Sequence, residues 1–187
     1  MRRHPTGLTA AGNLRCFWDL KKKMFCEYYC FGRIICIASK NEANPGTERY
    51  CYDVIGAIHE VHKELGAGLN EYVYQEGLKI ELSERDIPFE KEVTFHPYYH
   101  GIIMEATYRL DFLVKGNIVV ELKSVTELCD ENRAQLFNYM RLCNAAAGIL
   151  VNFYPNFAEI ERYFYDVESN EIFGSDGFPI KFFRKKV

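Results

Sequence analysis

Asp111, Glu121 and Lys123 are the residues of this chain whose types and spacing point most directly to chemistry. In Glu121-Leu122-Lys123 the two charged residues are two apart, so on a β-strand both side chains leave from one face, and Val120 and Leu122 leave from the other. The neighbouring Ile118, Val119 and Val120 mark a strand deep in a sheet, where two charges are costly unless paired or ligated. Asp111 lies in the preceding apolar stretch Tyr-Arg-Leu-Asp-Phe-Leu-Val, and Lys115-Gly116 offers a tight reversal between the two. A hairpin of these strands brings Asp111 towards Glu121 across the ladder. Two carboxylates so placed raise each other's pKa unless a cation lies between them. Mg2+, with its preference for hard oxygen ligands, resolves that conflict, and the backbone carbonyl of Leu122 offers a further ligand. Lys123 would then stabilise charge on a scissile phosphate or orient the attacking water. The ion would lower the pKa of that water and neutralise the developing oxyanion. The competing reading is a structural ion pair of Asp111 or Glu121 with Lys123 or Arg109. A lone Glu-x-Lys is common, whereas Asp111 and Glu121-x-Lys123 on two strands of one hairpin form a more specific pattern.

Two features extend the constellation. Glu71 falls in the first turn of an expected helix, either as an additional metal or water ligand or as a carboxylate that complements the helix dipole. Gln135 and Tyr139 are four apart on a later expected helix and so share a face, either touching substrate and steadying Lys123 or standing as a surface Gln beside a core Tyr. His59 and His62 are helix neighbours with structural roles expected, His62 packing beside Leu65 and His59 more exposed. His96 and His100 flank a Tyr-rich turn and are expected at the surface, with reach into a substrate groove as the alternative. The basic tail Lys181, Arg184, Lys185 and Lys186 is expected to be solvated, with phosphate contact as the alternative. No Ser/His/Asp or Cys/His motif and no phosphate-cradling glycine loop is visible.

These residues need elements to hold them. Val54, Ile55, Ile58, Val61, His62 and Leu65 recur at helical spacing from Tyr50 on, and Gly66 and Gly68 stop that helix. Asn70 caps a second helix to about Arg85, with Tyr72, Val73, Leu78, Ile80 and Leu82 as apolar members, and Ile87-Pro88 ends it. Alternation predicts a strand over 89–95, a turn around Tyr99-His100-Gly101, and hairpin strands over 105–114 and 117–125. A helix over 126–144 follows, then an apolar strand at 147–153 buried on both faces and a last strand at 161–167 near an edge. The order α-α-β-β-β-α-β-β reads as an α/β (α+β) fold, a mixed central sheet flanked by helices.

The chain has 187 residues, 48% of them apolar and 15% aromatic, enough for the core of a single domain. Its net charge of −3 gives no global basic field, so any phosphate binding must be local. Residues 1–48 hold basic clusters, scattered Cys and Tyr and no sustained period, and are expected to form a poorly ordered extension, with 49–187 as the folded domain and 39–49 as a linker. Met24 is an alternative start. Cys129 and Cys143 read as buried thiols of a reducing compartment, and Cys26, Cys30 and Cys36 match no common zinc spacing. No apolar run reaches the roughly 18 residues of a membrane span. Residues 21–38 mimic a signal peptide only faintly, so a cytoplasmic location is expected.

Taken together, the residues resemble the PD-(D/E)xK nuclease superfamily, and more closely its small GxxExxY family. The resemblance runs over residues 50–170 and comprises Gly68, Glu71 and Tyr74, the strand with Asp111, the strand with Glu121 and Lys123, Gln135 with Tyr139, and the Gly148-Ile-Leu-Val-Asn-Phe strand. Leu110 stands where the superfamily often has Pro before the Asp. The resemblance implies a restriction-endonuclease-like core and Mg2+- or Mn2+-dependent hydrolysis of DNA or RNA, with Asp111 and Glu121 on the metal. A homodimer is compatible with this. The alternatives are a catalytically silent module on the same fold that binds nucleic acid or protein, and a structural protein with a plain ion-pair network.

Overall fold

A computed structural model of the chain describes residues 28–30, 33–35 and 45–180. The basic tail and Cys16, Cys26 and Cys36 lie outside the described residues, as does most of the expected N-terminal extension. Within that stretch Tyr28–Cys30 (β1) and Arg33–Ile35 (β2) pair antiparallel.

The first helix, α1, spans Pro45–Leu65 and so begins inside the segment that composition marks as a linker. Proline at the first helical position lacks only an N–H that would have no partner there, and Glu48 in the first turn suits the positive end of the dipole. Gly66, with a φ of 75°, closes the helix by donating its N–H to the His62 carbonyl. The second helix, α2, spans Glu71–Glu84, and Asn70 caps it by accepting from the Val73 N–H. Its buried stripe is Tyr74, Leu78 and Leu82 with Gln75, whereas Tyr72 and Ile80, also among its apolar members, are exposed. The sequence offers two apolar stripes on this helix, and packing against α1 selects one.

The central sheet has six strands in the order β10-β9-β8-β7-β6-β3. These are β3 (Phe89–Phe95), β6 (Tyr108–Val114), β7 (Ile118–Lys123), β8 (Ala147–Asn152), β9 (Glu159–Asp166) and β10 (Glu171–Gly174). Every pairing is antiparallel except β7 with β8, which are joined by the third helix, α3 (Asp130–Cys143). A short ribbon, β4 (Tyr98–Tyr99) with β5 (Ile102–Ile103), fills the connection from β3 to β6. Between β6 and β7, Lys115 and Gly116 both take positive φ, and Asn117 donates its N–H to the Val114 carbonyl.

Helices α1 and α2 cover one face of the sheet around Val54, Ile58, Leu78, Phe112, Val120 and Val151. Helix α3 covers the other around Leu136, Met140, Leu113, Val119 and Leu150. β8 is buried along its whole length, as its apolar run predicts. Three expectations shift. Helix α3 starts at Asp130 rather than 126, because Ser124 and Val125 are bonded to Leu69 and Asn152 in a loop. Cys129, expected as a buried thiol, is exposed just ahead of that helix, whereas Cys143 is buried. β9 is interior because β10 covers its outer edge; β10 escaped the sequence reading because its strand is short and runs into Gly174 and Gly177. No helix among the described residues is long and apolar enough to cross a membrane.

Where α3 crosses β8 the two elements meet closely at Gly148. A Cβ there would lie 2.4 Å from Met140 Sδ and 3.1 Å from Leu136 Cδ1. We expect Gly148→Val to destabilise the protein by about 1–3 kcal/mol through overpacking, read as a lower urea midpoint at unchanged slope. An unchanged midpoint would show that this contact is not tight.

Candidate active site

A regular strand keeps alternate residues on one face. Phe89 packs on the α1/α2 side and Lys91 reaches Glu76 and the Tyr72 ring on α2, yet Val93 and Phe95 join the α3-side core. β6 makes the same switch: Val114 and Phe112 lie on the α1/α2 side and Leu110 on the α3 side. The change of face falls at Glu92 and Asp111, where the register steps from Lys91↔Phe112 to Val93↔Leu110. Glu92 absorbs the change with a φ of 55°, a conformation that costs a non-glycine residue on the order of 1 kcal/mol.

The same point ends the regular pairing with β7, whose register runs from Val114↔Ile118 to Phe112↔Val120. One step further Asp111 would face Glu121. There the Asp111 side chain takes over from the ladder: Oδ2 accepts the Leu122 N–H at 2.8 Å, and Oδ1 accepts from Gln75 Nε2 on α2 at 3.0 Å. Leu122 therefore contributes its N–H to the orientation of Asp111.

Glu121 is 2% exposed. Its Oε1 accepts from Lys123 Nζ at 2.7 Å and from Gln135 Nε2 at 2.6 Å, and Gln135 also bonds the Tyr139 hydroxyl at 3.0 Å. The polar pair on α3 thus holds Glu121. Its Oε2 is buried without a hydrogen-bond partner. Burial first, and then the neighbouring Asp111, lift the Glu121 carboxyl to about 7, and Lys123 offsets only part of the rise. Asp111 is also raised, mainly by burial, against the pull of the Leu122 N–H and of Lys123. Burial pulls the Lys123 ammonium down, but the charges of Glu121, Glu71 and Asp111 outweigh it and hold its pKa above the ordinary lysine value.

Glu71 is the first residue of α2, and its half-buried carboxyl is raised by burial and by Asp111, with Lys123 opposing. The loop before it is fixed by Tyr74, whose hydroxyl donates to the Gly66 carbonyl at 2.7 Å and accepts the Leu69 N–H at 3.0 Å, while its ring stacks on Phe153 at 4.3 Å. Gly68 in that loop has a φ of 79°. The spacing of Gly68, Glu71 and Tyr74 therefore has a physical reading: a left-handed turn, a carboxylate at a helix start, and a ring that ties the turn to β8.

Three carboxylates against one ammonium leave an excess of negative charge, and one buried oxygen has no donor. That set fits a divalent cation of the hard, oxygen-preferring kind. Among the described residues no three His, Cys, Asp or Glu side chains converge as a ready metal cage. Asp111 and Glu121 are the two carboxylates whose positions could hold such an ion, and Glu71 adds its charge nearby.

Sequence reasoning missed two supports. Gln75 is one turn after Glu71 on α2, and that spacing is the signal that could have revealed it. Asn152 is fully buried and clamps Val125 through both its backbone groups, fixing the chain just past Lys123. His62 lies outside the site, stacked on Phe153 with Nε2 2.9 Å from the Pro155 carbonyl rather than beside Leu65 alone. His59 is exposed as expected, and His96 and His100 belong to the β4–β5 ribbon region.

A family profile described as the PD-(D/E)XK nuclease superfamily matches residues 48–163. The six-stranded mixed sheet between helices is consistent with the restriction-endonuclease-like fold of that superfamily. Among solved structures, one titled "Crystal structure of SSO0001" is similar at 23% identity and a TM-score of 0.42, over 49% of this chain and 48% of that one. The chain thus spans about half the length of that protein. No curated protein matches the chain.

The raised carboxyl of Glu121 has a consequence for stability. A folded pKa of about 7 against an ordinary 4.5 means that the native state binds the proton more tightly than the unfolded chain. The stabilisation is complete below the unfolded value and is lost as pH rises through about 7. With a chelator present, the urea midpoint is expected to fall from about pH 5 to about pH 8, and Glu121→Gln to flatten that fall. A wild-type midpoint that rises across the window would contradict the assignment.

Proposed function

The chain belongs to the PD-(D/E)XK nuclease superfamily, and on that premise we propose that it is a Mg2+- or Mn2+-dependent nuclease whose centre is Asp111, Glu121 and Lys123. The observation that carries the reading is the buried Glu121, held against Lys123 and Gln135 by one oxygen and left with an unpartnered second oxygen beside Asp111. A structural ion pair would satisfy both oxygens; a ligand in waiting would not.

Asp111 and Glu121 would hold the ion, with the Leu122 carbonyl beside them. When bound, the ion supplies Lewis acidity towards a phosphoryl oxygen and a more acidic bound water. The Lys123 ammonium would carry positive charge to the scissile phosphate, and its coupling to three carboxylates keeps it protonated for that purpose. Glu71, raised by burial, is suited to orient the attacking water or accept its proton. Gln75 and Gln135 hold the two carboxylates from opposite faces of the sheet, and Tyr139 holds Gln135. The placement of Gly68, Glu71 and Tyr74 supports a closer kinship with GxxExxY proteins. Free thiols at Cys51, Cys129 and Cys143 support a reducing, cytoplasmic setting.

Purified protein with Mn2+ or Mg2+ is expected to cleave DNA or RNA. Asp111→Asn should abolish cleavage, and Lys123→Ala should lower the rate by roughly a hundredfold or more. Calorimetric titration of Mn2+ should show binding to the wild type that is lost in Asp111→Asn. Undiminished cleavage by that variant would refute the proposed centre; metal binding without turnover on any nucleic acid would leave a silent binding module instead.

A further inference from the structure

Three features converge at one end of the sheet. Lys123 pairs with Asn152, and Asn152 with Glu159, so this is the last row of β7, β8 and β9. The loop 153–158 leaves from that row, anchored by the Phe153 N–H on the Lys123 carbonyl at 2.8 Å. It carries Tyr154, 45% exposed, and Phe157, 86% exposed, neither of which packs into either core. On the opposite flank β6 enters at this same end with Tyr108, 40% exposed, its ring edge-on to Tyr139 at 6.1 Å. Tyr139 in turn bonds Gln135, which bonds Glu121. The β4–β5 ribbon, which lies in the connection from β3 to β6, carries a further exposed ring, Tyr99. The end of the sheet that carries Lys123 therefore has exposed rings on both sides of it, on β6 and on the 153–158 loop.

Among the described residues the charge balance is of the wrong kind for tracking a phosphate backbone. Between residues 45 and 180 carboxylates well outnumber lysines and arginines. Most of the latter are paired with carboxylates or lie over rings, as Lys115 does over Tyr50 and Arg162 over Tyr52. Duplex binding is driven mainly by neutralised phosphates, and a stacked duplex hides the faces of its bases. Exposed rings beside a centre poor in free cations among the described residues match the other mode, in which unstacked bases lie on aromatic side chains and each contact adds affinity whatever the base.

Resting on the nuclease reading above, we infer that the centre takes single-stranded nucleic acid, with bases stacked on Phe157 and Tyr154 on one flank and Tyr108 on the other. The strand would cross the ends of β6, β7 and β8, with its phosphate over Lys123.

The test uses the full chain carrying Asp111→Asn, so that binding is measured without cleavage. Fluorescence anisotropy is read with a labelled 20-nucleotide thymidine strand, and with the same strand annealed to its complement. The single strand is expected to bind at least about tenfold more tightly than the duplex, and Phe157→Ala and Tyr154→Ala each to weaken it by about tenfold. Phe157→Trp should restore affinity, and its fluorescence should be quenched by the strand. Tighter binding of the duplex, or unchanged single-strand affinity in both alanine variants, would overturn the inference while leaving the nuclease reading intact. Selective single-strand binding by a wild type that cleaves nothing would do the reverse.

Discussion

A carboxylate shut away from water beside a second carboxylate is the constraint around which this structure is arranged. Burial of an unpaired charge is among the most expensive things a protein can do, and Glu121 is buried with Asp111 as a neighbour. The surroundings compensate only in part. Lys123 and Gln135 share one oxygen, the other is left bare, and the proton is retained to about pH 7. A site selected for stability alone would have placed an apolar residue or a complete ion pair here. That incompleteness is the feature on which the proposed cation site rests.

Placing that pair needs a departure from regular sheet geometry. On an undistorted β6, Asp111 would share a face with Leu113, which packs under α3. The switch of face at Glu92 and Asp111 frees the carboxylate from that alternation. It lets Asp111 take a backbone N–H from β7 on one side and the Gln75 amide from α2 on the other. The left-handed Glu92 holds this strain on the edge strand, where no further neighbour has to follow the distortion.

The parts of this arrangement visible in sequence are those written as local spacing. Glu121-x-Lys123, the Lys115-Gly116 reversal, the Asn70 cap and the continuous apolar run of β8 each depend on a few adjacent residues, and each appears where the pattern places it. The less legible parts depend on partners far along the chain. Tyr72 and Ile80 look like core until α1 selects the other stripe of α2. The start of α3 is set by Asn152, across the sheet from Val125. The change of face in β3 and β6 leaves no periodic trace, because the apolar positions keep their parity along each strand on both sides of it while the face they point to changes. Gln75 is an ordinary helix residue by type, and only the aspartate opposite gives it a role.

The topology explains why the proposed site lies where it does. β7 is the strand at which the sheet changes from antiparallel pairing with β6 to parallel pairing with β8. Parallel strands joined by a helix place both their carboxyl ends at the same edge, and ligand sites of open sheets collect there because the connecting loops splay apart. Here that edge receives Lys123 at the end of β7, the start of the 153–158 loop at the end of β8, and the first turn of α2 with Glu71. Ser124 bonds the Leu69 carbonyl and so fastens the chain leaving β7 to the loop that enters α2. The charged centre is therefore held from separate elements by short polar ties, while Tyr154 and Phe157 stay outside both cores.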